Sequence, residues 1–397
     1  MCCVVLLSLL LLVDRWHGHF VDIQSSRRNS SENLSRHGKL SISLSDDMKK
    51  MASTDKDDIE DAEETVDTEV EDNTAEEETK EPEPVEREYS HPVYKQIASL
   101  NGKINNYSKA ELIKNLKMLK LDTDGSRSVL AKRLKTFYKK TMLSVSGIQE
   151  KNENSKIRIL FDFYVIIDYE ATCELLKHSN FKQEIIEFPA VLLNCQKGEV
   201  EDEFRSYCRP VLNPLLTEFC TELTGITQDD VDKAPLFHEV LTSFEEWLQK
   251  KKLGSKYSFA IVTDGPWDIG YFLKNQCALS KIEFPTYCKY WINVRKTFAN
   301  FYNTGKMPLS TMIQLIGREF QGRAHSGLDD ARNIAFIVQR LLKDGARVIF
   351  NEKLAEGNAR RREDGNPYFS VPVHNTEFKA IQGKFKPNFP QKKSSVI

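Results

Sequence analysis

The sequence contains no C-x-x-C pair, although eight cysteines are distributed over its 397 residues. Common zinc sites and redox-active dithiols depend on that short spacing, and disulfide frameworks are typical of much shorter secreted chains. Six of the cysteines lie within otherwise apolar segments, as reduced core thiols do. We therefore expect neither a zinc site nor structural disulfides, and a reducing compartment.

The sequence also lacks an apolar run long enough to cross a membrane. Met1–Val13 is nearly all apolar, but a spanning helix needs about 20 such residues. The run has the length of a signal-peptide core, yet no Lys or Arg precedes it, so the positive region of a secretory signal is missing. We expect no membrane partner, and we interpret residues 1–50 as an alternative leader or a misassigned start before Met51.

Large apolar side chains are almost absent between residues 46 and 88, where Asp, Glu, Thr and Pro dominate. Such a segment buries too little surface to offset the entropy of ordering. We expect residues 1–93 to comprise the leader and a disordered acidic region, and residues 353–397 to form a disordered basic tail. The net charge of −2 therefore hides an acidic beginning and a basic remainder.

Residues 94–142 carry two amphipathic helical patterns, separated by a break at 121–125. The first starts at a capping box, Ser108-Lys-Ala-Glu111, and the second starts at about Ser126. Clustering of basic side chains opposite an apolar stripe indicates contact with phosphates, although a merely solvated face is the alternative. The basic residues are Lys109, Lys114, Lys117, Lys120, Lys132, Arg133, Lys135, Lys139 and Lys140.

After a polar linker at 143–157, strand-like and helix-like stretches alternate through residues 158–352. This alternation predicts a mixed sheet with helices packed on it, antiparallel at first and then parallel. The expected strands are 160–170, 184–194, 199–209, 257–263 and 288–292. The expected helices are 214–223, 235–251, 266–277, 309–319 and 327–343.

Two carboxylates end the apolar run Tyr164-Val-Ile-Ile-Asp-Tyr-Glu. Residues i and i+2 of a strand project to the same face, so Asp168 and Glu170 should lie side by side. Adjacent anions resist burial unless a cation lies between them, and carboxylates suit Mg²⁺ or Mn²⁺. A solvated strand end is the alternative.

Four further polar residues stand where elements begin or end. Asp264 follows the strand at 257–263, and ligands of α/β sheets collect at strand ends; a cap on the next helix is the alternative. Asp329 is explained as a first-turn residue of a helix. That role leaves His325 and Asp330 unexplained, so we expect both to reach the same site.

These features, in this order and spacing, resemble the DEDDh exonuclease superfamily, whose fold is RNase H-like. Within it, several segments resemble the Eri-1 branch of histone-mRNA 3′ exonucleases, and the helical unit in front resembles the nucleic-acid-binding SAP module. The Eri-1-like segments are Ile-Ile-Asp-Tyr-Glu-Ala-Thr-Cys at 166–173, Glu-Ile-Ile-Glu-Phe-Pro at 184–189, Leu-Thr-Gly-Ile-Thr-Gln at 223–228, Thr-Asp-Gly-Pro-Trp-Asp at 263–268 and Gly-Arg-Ala-His-Ser-Gly-Leu-Asp-Asp at 322–330. The SAP-like segments are Leu-Lys-Leu-Asp-Thr-Asp-Gly at 119–125 and Leu-Ala-Lys-Arg-Leu at 130–134.

The resemblance implies a metal-dependent 3′-to-5′ exoribonuclease that releases nucleoside 5′-monophosphates from structured RNA 3′ ends. It implies histone mRNA stem-loops, small interfering duplexes and 5.8S ribosomal RNA as substrates. The implied partners are RNA with a stem-loop or short 3′ overhang, histone stem-loop-binding protein and the ribosome, in cytoplasm and nucleus, including the nucleolus.

The expected site residues fall into four groups. Asp168, Glu170, Asp264 and Asp330 would hold two Mg²⁺ ions, for which Mn²⁺ can substitute. Catalysis would use Glu170, with His325 as general base. The terminal nucleotide would contact Glu170, Ala171 and His325, and the RNA stem would contact Lys109, Lys132, Arg133 and Lys135.

Two other functions remain open at this point. The metal constellation does not distinguish the sugar, so a 3′-5′ DNA exonuclease is one alternative. A SAP-type nucleic-acid scaffold with an inactive nuclease fold is the other. Retention of all four carboxylates and His325 argues against the scaffold.

Overall fold

The computed structural model describes residues 91–148, 160–175, 181–355 and 370–373. The predicted leader, the acidic region before residue 91 and most of the predicted tail lie outside the described residues. The described residues all belong to one unit, Pro82–Ile397. None of the helices in this part of the chain combines the length and apolarity that a membrane crossing demands.

Within the described residues, eight strands form one mixed sheet. The first three long strands pair antiparallel, and two parallel strands follow, as the alternation predicts. The strands are β1 Phe163–Ile166, β2 Glu170–Ala171, β3 Ile185–Asn194, β4 Glu199–Tyr207, β5 Phe259–Thr263, β6 Tyr290–Asn293, β7 Glu352–Leu354 and β8 Ser370–Pro372.

Helices flank this sheet and also precede it. The N-terminal helices are α1 Pro92–Asn105, α2 Lys109–Met118 and α3 Arg127–Val145. Those packed on the sheet are α4 Glu218–Thr224, α5 Gln228–Asp232, α6 Phe237–Lys250, α7 Lys274–Leu279 with a π-helical turn Asp268–Leu273 before it, α8 Val294–Tyr302, α9 Leu309–Leu315 and α10 Gly327–Asp344. A 3₁₀ turn, Thr286–Cys288, precedes β6.

The sheet buries both faces, because successive residues of each strand point to opposite sides. Tyr164 and Ile166 of β1 join the core beneath α8, α9 and α10. Phe163 and Val165 join the core beneath α6. This explains why β1 reads as a continuous apolar run rather than an alternating one.

Two sequence predictions about the sheet were wrong. The strand predicted at 160–170 is interrupted after Ile166, and β2 resumes only at Glu170. The basic tail predicted from residue 353 instead begins inside the sheet, because β7 pairs with β6 and β8 pairs with β7. β7 and β8 are each three residues long, so neither is long enough for a periodic pattern to predict it.

The helices before the sheet form a three-helix module around a small core of its own. Ile104, Leu112, Leu116, Leu130 and Leu134 are fully buried in that core. The capping box predicted at Ser108 and Glu111 is present. The sequence indicated only two helices, whereas α1 adds a third that packs along α3.

This N-terminal module lies directly against the sheet domain. Val129 of α3 enters the core beneath α10, and the Ser126 N–H donates to the Leu315 carbonyl at 2.7 Å. A Cβ on Gly317 would lie 2.5 Å from the Gly125 nitrogen, so the backbones touch where only glycine fits. Packing, and not only the predicted linker, therefore joins the module to the sheet.

A buried network of ion pairs stabilises the contact between the N-terminal module and the sheet domain. Arg133 is 5% exposed and donates to both carboxylate oxygens of Asp344, at 2.8 and 3.0 Å. It also donates to the carbonyls of Asp122 and Asp124, at 2.7 and 3.0 Å. Arg340 completes the network with a 2.7 Å bond to the Asp122 carboxylate. Arg133 was expected to face an RNA stem, and that expectation was wrong, because its guanidinium is buried within the protein.

Candidate active site

The five residues predicted to carry the chemistry line one cavity of about 490 Å³. β1 and β5 are parallel neighbours, with Ile166 opposite Val262, so their carboxyl ends lie side by side. Asp168 follows the first strand and Asp264 follows the second. The third wall is the start of α10 and the turn before it. The lining includes Asp168, Glu170, Ala171, Asp264, His325 and Asp330.

The start of α10 approaches the strand ends without a gap. A Cβ on Gly327 would lie 2.5 Å from the Asp168 carbonyl oxygen, so this position requires glycine. The Gly327 N–H donates to Glu187 Oε2 at 3.1 Å, and Glu187 is fully buried opposite Glu170 across β2 and β3. Glu187 therefore fixes the helix that carries Asp330.

Asp268 is an additional acidic residue of the site, to which sequence reasoning assigned no role. Its carboxylate accepts the Tyr169 N–H at 3.0 Å, is only 5% exposed and lines the same cavity. The signal available was its position in the short segment Asp264-Gly-Pro-Trp-Asp268, which directly follows β5 and therefore starts at the same edge of the sheet as Asp264.

Burial and mutual repulsion dominate the electrostatics of the cavity. Burial raises the pKa of Asp168 well above its ordinary range, and the charges of Asp268, Asp330, Asp264 and Glu170 raise it further. Burial is also the largest cause of the raised pKa values of Asp268 and Asp330, each about 7. So many acids around one space favour a bound cation.

Arg295 offsets part of this negative charge through Asp264. Its Nε donates to Asp264 Oδ2 at 2.9 Å. The other carboxylate oxygen, Oδ1, is buried without a hydrogen-bond partner. An unsatisfied buried carboxylate oxygen is costly, and a metal ion is one group that can satisfy it.

The donor set fits a divalent ion of the Mg²⁺ type. It consists of carboxylate oxygens, which hard cations prefer. No three His, Cys, Asp or Glu side chains in the described part of the chain form a preassembled ligand cluster. The acidic donors instead approach the cavity from two strand ends and one helix.

His325 is held beside these acids by backbone geometry. Its φ of +63° lies in the left-handed region, which non-glycine residues adopt uncommonly. The backbone N–H of His325 donates to Asp330 Oδ2 at 2.8 Å. Burial, followed by the charge of Arg323, lowers the pKa of the imidazole. The ring is therefore neutral near pH 7 and can accept a proton.

The raised carboxyl pKa values predict how stability depends on pH in a metal-chelating buffer. Asp268 and Asp330 change from an ordinary pKa of 3.8 to about 7 on folding. The folded state therefore binds more protons than the unfolded state between about pH 4 and 7, and stability falls as pH rises through that window. We expect Tm at pH 8 to be at least about 5 °C lower than at pH 5.

Thermal unfolding in the chelating buffer measures this effect. The drop should be smaller in Asp268→Asn, which removes one buried charge and keeps an acceptor for the Tyr169 N–H. Added Mg²⁺ should raise Tm most at pH 8. A Tm that is constant or rises between pH 5 and 8 would contradict the electrostatics described above.

Comparison with known proteins identifies a matching family and several relatives. The profile of the family described as "RNase_T: Exonuclease" matches residues 165–338. The protein "3'-5' exoribonuclease 1" of Rattus norvegicus is 46% identical over 288 residues, which are 72% of this chain and 82% of the relative. The Homo sapiens protein of the same name is 44% identical over 287 residues, with 72% and 80% covered.

Two solved structures are similar in fold. One, "crystal structure of full-length 3'-exonuclease", has a TM-score of 0.51 and 42% identity, and covers 71% of this chain and 88% of its own. The other, "3'-end specific recognition of histone mRNA stem-loop by 3'-exonuclease", has a TM-score of 0.50 and 42% identity, and the match covers 72% of this chain and 100% of the solved chain. The predicted RNase H-like exonuclease fold is confirmed.

Proposed function

Since the chain belongs to the family of 3′-5′ exoribonuclease 1, we propose that it hydrolyses structured RNA from the 3′ end and releases nucleoside 5′-monophosphates. The observation that carries the proposal is that Asp168, Glu170, Asp264, Asp330 and His325 line one cavity. Hydrolysis of a phosphodiester requires an attacking water, a proton acceptor and neutralisation of charge at phosphorus. The cavity contains groups suited to each of these tasks.

The acidic residues are assigned to two Mg²⁺ ions, with Mn²⁺ as a substitute. Asp168, Glu170 and Asp330 would hold one ion, and Asp264 together with Asp168 would hold the second. When bound, the two ions supply a more acidic water and stabilise negative charge on the attacking and leaving oxygens. The orphaned Oδ1 of Asp264 and the mutual repulsion of the acids support this assignment.

His325 is the general base of the proposal. Its lowered pKa keeps the imidazole neutral. The bond from the backbone N–H of His325 to Asp330 holds the residue beside the acidic wall. It takes the proton of the attacking water as the new phosphorus–oxygen bond forms and the bond from phosphorus to the 3′ oxygen of the preceding nucleotide breaks. Glu170, Ala171 and His325 border the space for the terminal nucleotide.

The remaining cavity wall suits a nucleobase of any identity. Trp267, Phe272, Phe320 and Leu223 line it, and Trp267 is 41% exposed. Stacking on such side chains contributes about 1–3 kcal/mol per base and discriminates little between bases. We therefore assign substrate selection to surfaces outside the cavity.

The experiment that tests the proposal compares matched RNA and DNA single strands with identical 3′ sequences. We expect RNA to be shortened from its 3′ end at least about tenfold faster than DNA, because the 2′-hydroxyl distinguishes the two sugars. Gel analysis of 5′-labelled substrates measures both rates. Faster degradation of DNA would instead support the DNA exonuclease.

The stem of a structured RNA is assigned to the exposed basic face of the N-terminal module. Lys109 is exposed, at the start of α2. One of the solved relatives is a 3′-exonuclease that recognises a histone mRNA stem-loop, which supports stem-loop RNA as a substrate of this chain. Histone stem-loop-binding protein and the ribosome are the proposed protein partners, in nucleus and cytoplasm.

Two other proposed stem contacts are less free than Lys109. The Lys132 ammonium lies 4.6 Å from the centre of the Phe301 ring, and the Lys135 ammonium donates to the Asn105 side chain. Both side chains remain partly exposed. Each ammonium therefore has one internal contact and keeps further N–H donors for phosphate.

Neutralising Lys109, Lys132 and Lys135 together should weaken binding to stem-loop RNA more than binding to a short single strand. Each phosphate contact that is lost should reduce the slope of log K against log salt by about 0.7–0.9. Filter binding at several salt concentrations measures this slope. Lys250→Gln is the control, because α6 packs on the opposite face of the sheet. Equal losses of affinity for both RNAs would contradict a role of the module in stem binding.

A further inference from the structure

The six cysteines of the described residues do not share one environment. Cys195, Cys208, Cys277 and Cys288 are buried, and burial is the largest cause of their raised pKa values. Such thiols are inert. Cys173 and Cys220 form a separate pair beside the active-site cavity: Cys220 is also buried, whereas Cys173 is partly exposed and lines that cavity.

The two cysteines of this pair are linked through Thr217 and share one cluster of side chains. The Thr217 hydroxyl donates to the Cys173 carbonyl at 2.7 Å and accepts the Cys220 N–H at 3.0 Å. The Cys173 side chain packs against the buried cluster that contains Cys220. The Cys220 thiol donates to the Ala171 carbonyl oxygen at 3.8 Å. The loop after β2 and the start of α4 thus hold the two thiol side chains beside each other.

We propose that Cys173 and Cys220 are an oxidant-sensitive thiol pair, which closes to a disulfide on exposure to peroxide and thereby inhibits the nuclease. This inference rests on the proposed function only for its effect on activity. The disulfide itself is a separate chemical event that can be observed without any RNA.

The chemistry is balanced with hydrogen peroxide as the oxidant. The Cys220 thiolate takes the Cys173 proton as the sulfur of Cys173, which is partly exposed, attacks one peroxide oxygen; the O–O bond breaks, and the departing hydroxide picks up a proton from solvent and leaves as water, giving a sulfenic acid. The sulfur of Cys220 then attacks the Cys173 sulfur, the S–O bond breaks and a second water leaves. Two thiols and one peroxide become one disulfide and two waters.

Electrostatics support reactivity of the pair near neutral pH. The hydrogen bond from Cys173 is the largest cause that lowers the pKa of Cys220, to about 7. The same hydrogen bond raises the pKa of Cys173. The pair therefore releases its first proton near pH 7 and shares the second, so one thiolate is present under conditions in which the four core thiols remain protonated.

Closure of the disulfide should displace the metal-binding residues. The two sulfur atoms must approach to about 2.05 Å, which pulls the loop after β2 and the start of α4 toward each other. Glu170 lies three residues before Cys173, and Leu223 of α4 lines the cavity. A displacement of about 1 Å at a catalytic group can reduce the rate on the order of 10²-fold.

The test treats the full chain with hydrogen peroxide and divides each sample for two measurements. Peptide mapping without reduction should find Cys173 linked to Cys220, and RNA degradation should fall at least tenfold and return with dithiothreitol. A different linkage or none would overturn the proposal, whether or not the reduced protein degrades RNA. Failure of the proposed function would appear separately, as no activity in the reduced sample.

Variants separate this pair from other thiols. The ratio of oxidised to reduced activity should stay near one in Cys220→Ser, while Cys277→Ala should respond like wild type. Thermal unfolding confirms that both variants fold. Equal inhibition of Cys220→Ser and wild type would show that peroxide acts elsewhere and would overturn the switch.

Discussion

Replacing Asp168 by Asn together with Glu170 by Gln should reduce RNA degradation by at least about 10³-fold. A single preorganised charge at a reaction centre contributes about 10²–10³-fold, and this pair would hold the ion next to the attacking water. The loss should appear in kcat, because the side chains keep their size and the wall of the nucleotide space is unchanged. Single-turnover kinetics on a short RNA measures it.

Stability provides the internal control for this variant. The two carboxylates lie partly buried among other acids, and burial is the largest cause of their raised pKa values, followed by the charges of those acids. Removing them should therefore leave Tm in a metal-chelating buffer unchanged or higher. Glu283→Gln, at an exposed site outside the cavity, should retain wild-type activity. A double variant as active as wild type would mean that the activity comes from another site.

Replacing Arg133 by Met should destabilise the protein by about 3–5 kcal/mol, the usual cost of leaving one partner of a buried ion pair alone. Asp344 is 5% exposed and would keep only the Tyr302 hydroxyl, at 2.9 Å, and the more distant Arg340. The carbonyls of Asp122 and Asp124 would also lose their donor. Denaturant unfolding measures the change.

Two further variants make the Arg133 result specific. Lys140→Met removes an exposed charge from the same helix and should change stability by less than about 0.5 kcal/mol. Combining Arg133→Met with Asp344→Leu should recover part of the loss, because an apolar pair can replace a buried ion pair. Arg133→Met should also slow degradation of stem-loop RNA more than of short RNA, since the module loses its anchor. A free energy of unfolding that Arg133→Met leaves unchanged would contradict the buried position of Arg133.

Sequence patterns were sufficient to locate the main acidic residues of the site. Asp168 ends an apolar run and Asp264 follows another, so parallel pairing of β1 and β5 was enough to bring them together. The positions of His325 and Asp330 followed from a helix start. These signals are local in the sequence, and the fold brings the four residues together in one cavity.

The residues that were missed depend on tertiary contacts. Glu187 lies within an apolar strand, and its role appears only when α10 docks on it. Arg133 was assigned to the RNA face because of its charge, although it lies four residues after Val129 and shares the apolar stripe of α3. Pro92 after His91 was an available signal for α1, because proline is favoured in the first turn of a helix.

A crystal of the protein grown with Mn²⁺ and a nucleoside 5′-monophosphate tests the central claim most directly. Anomalous scattering should show two manganese ions in the cavity, about 3.5–4 Å apart, with a carboxylate oxygen of Asp168 coordinating both. The phosphate should lie between the ions and His325. Manganese bound only elsewhere on the protein, with the nucleotide outside the cavity, would contradict the assignment of this site.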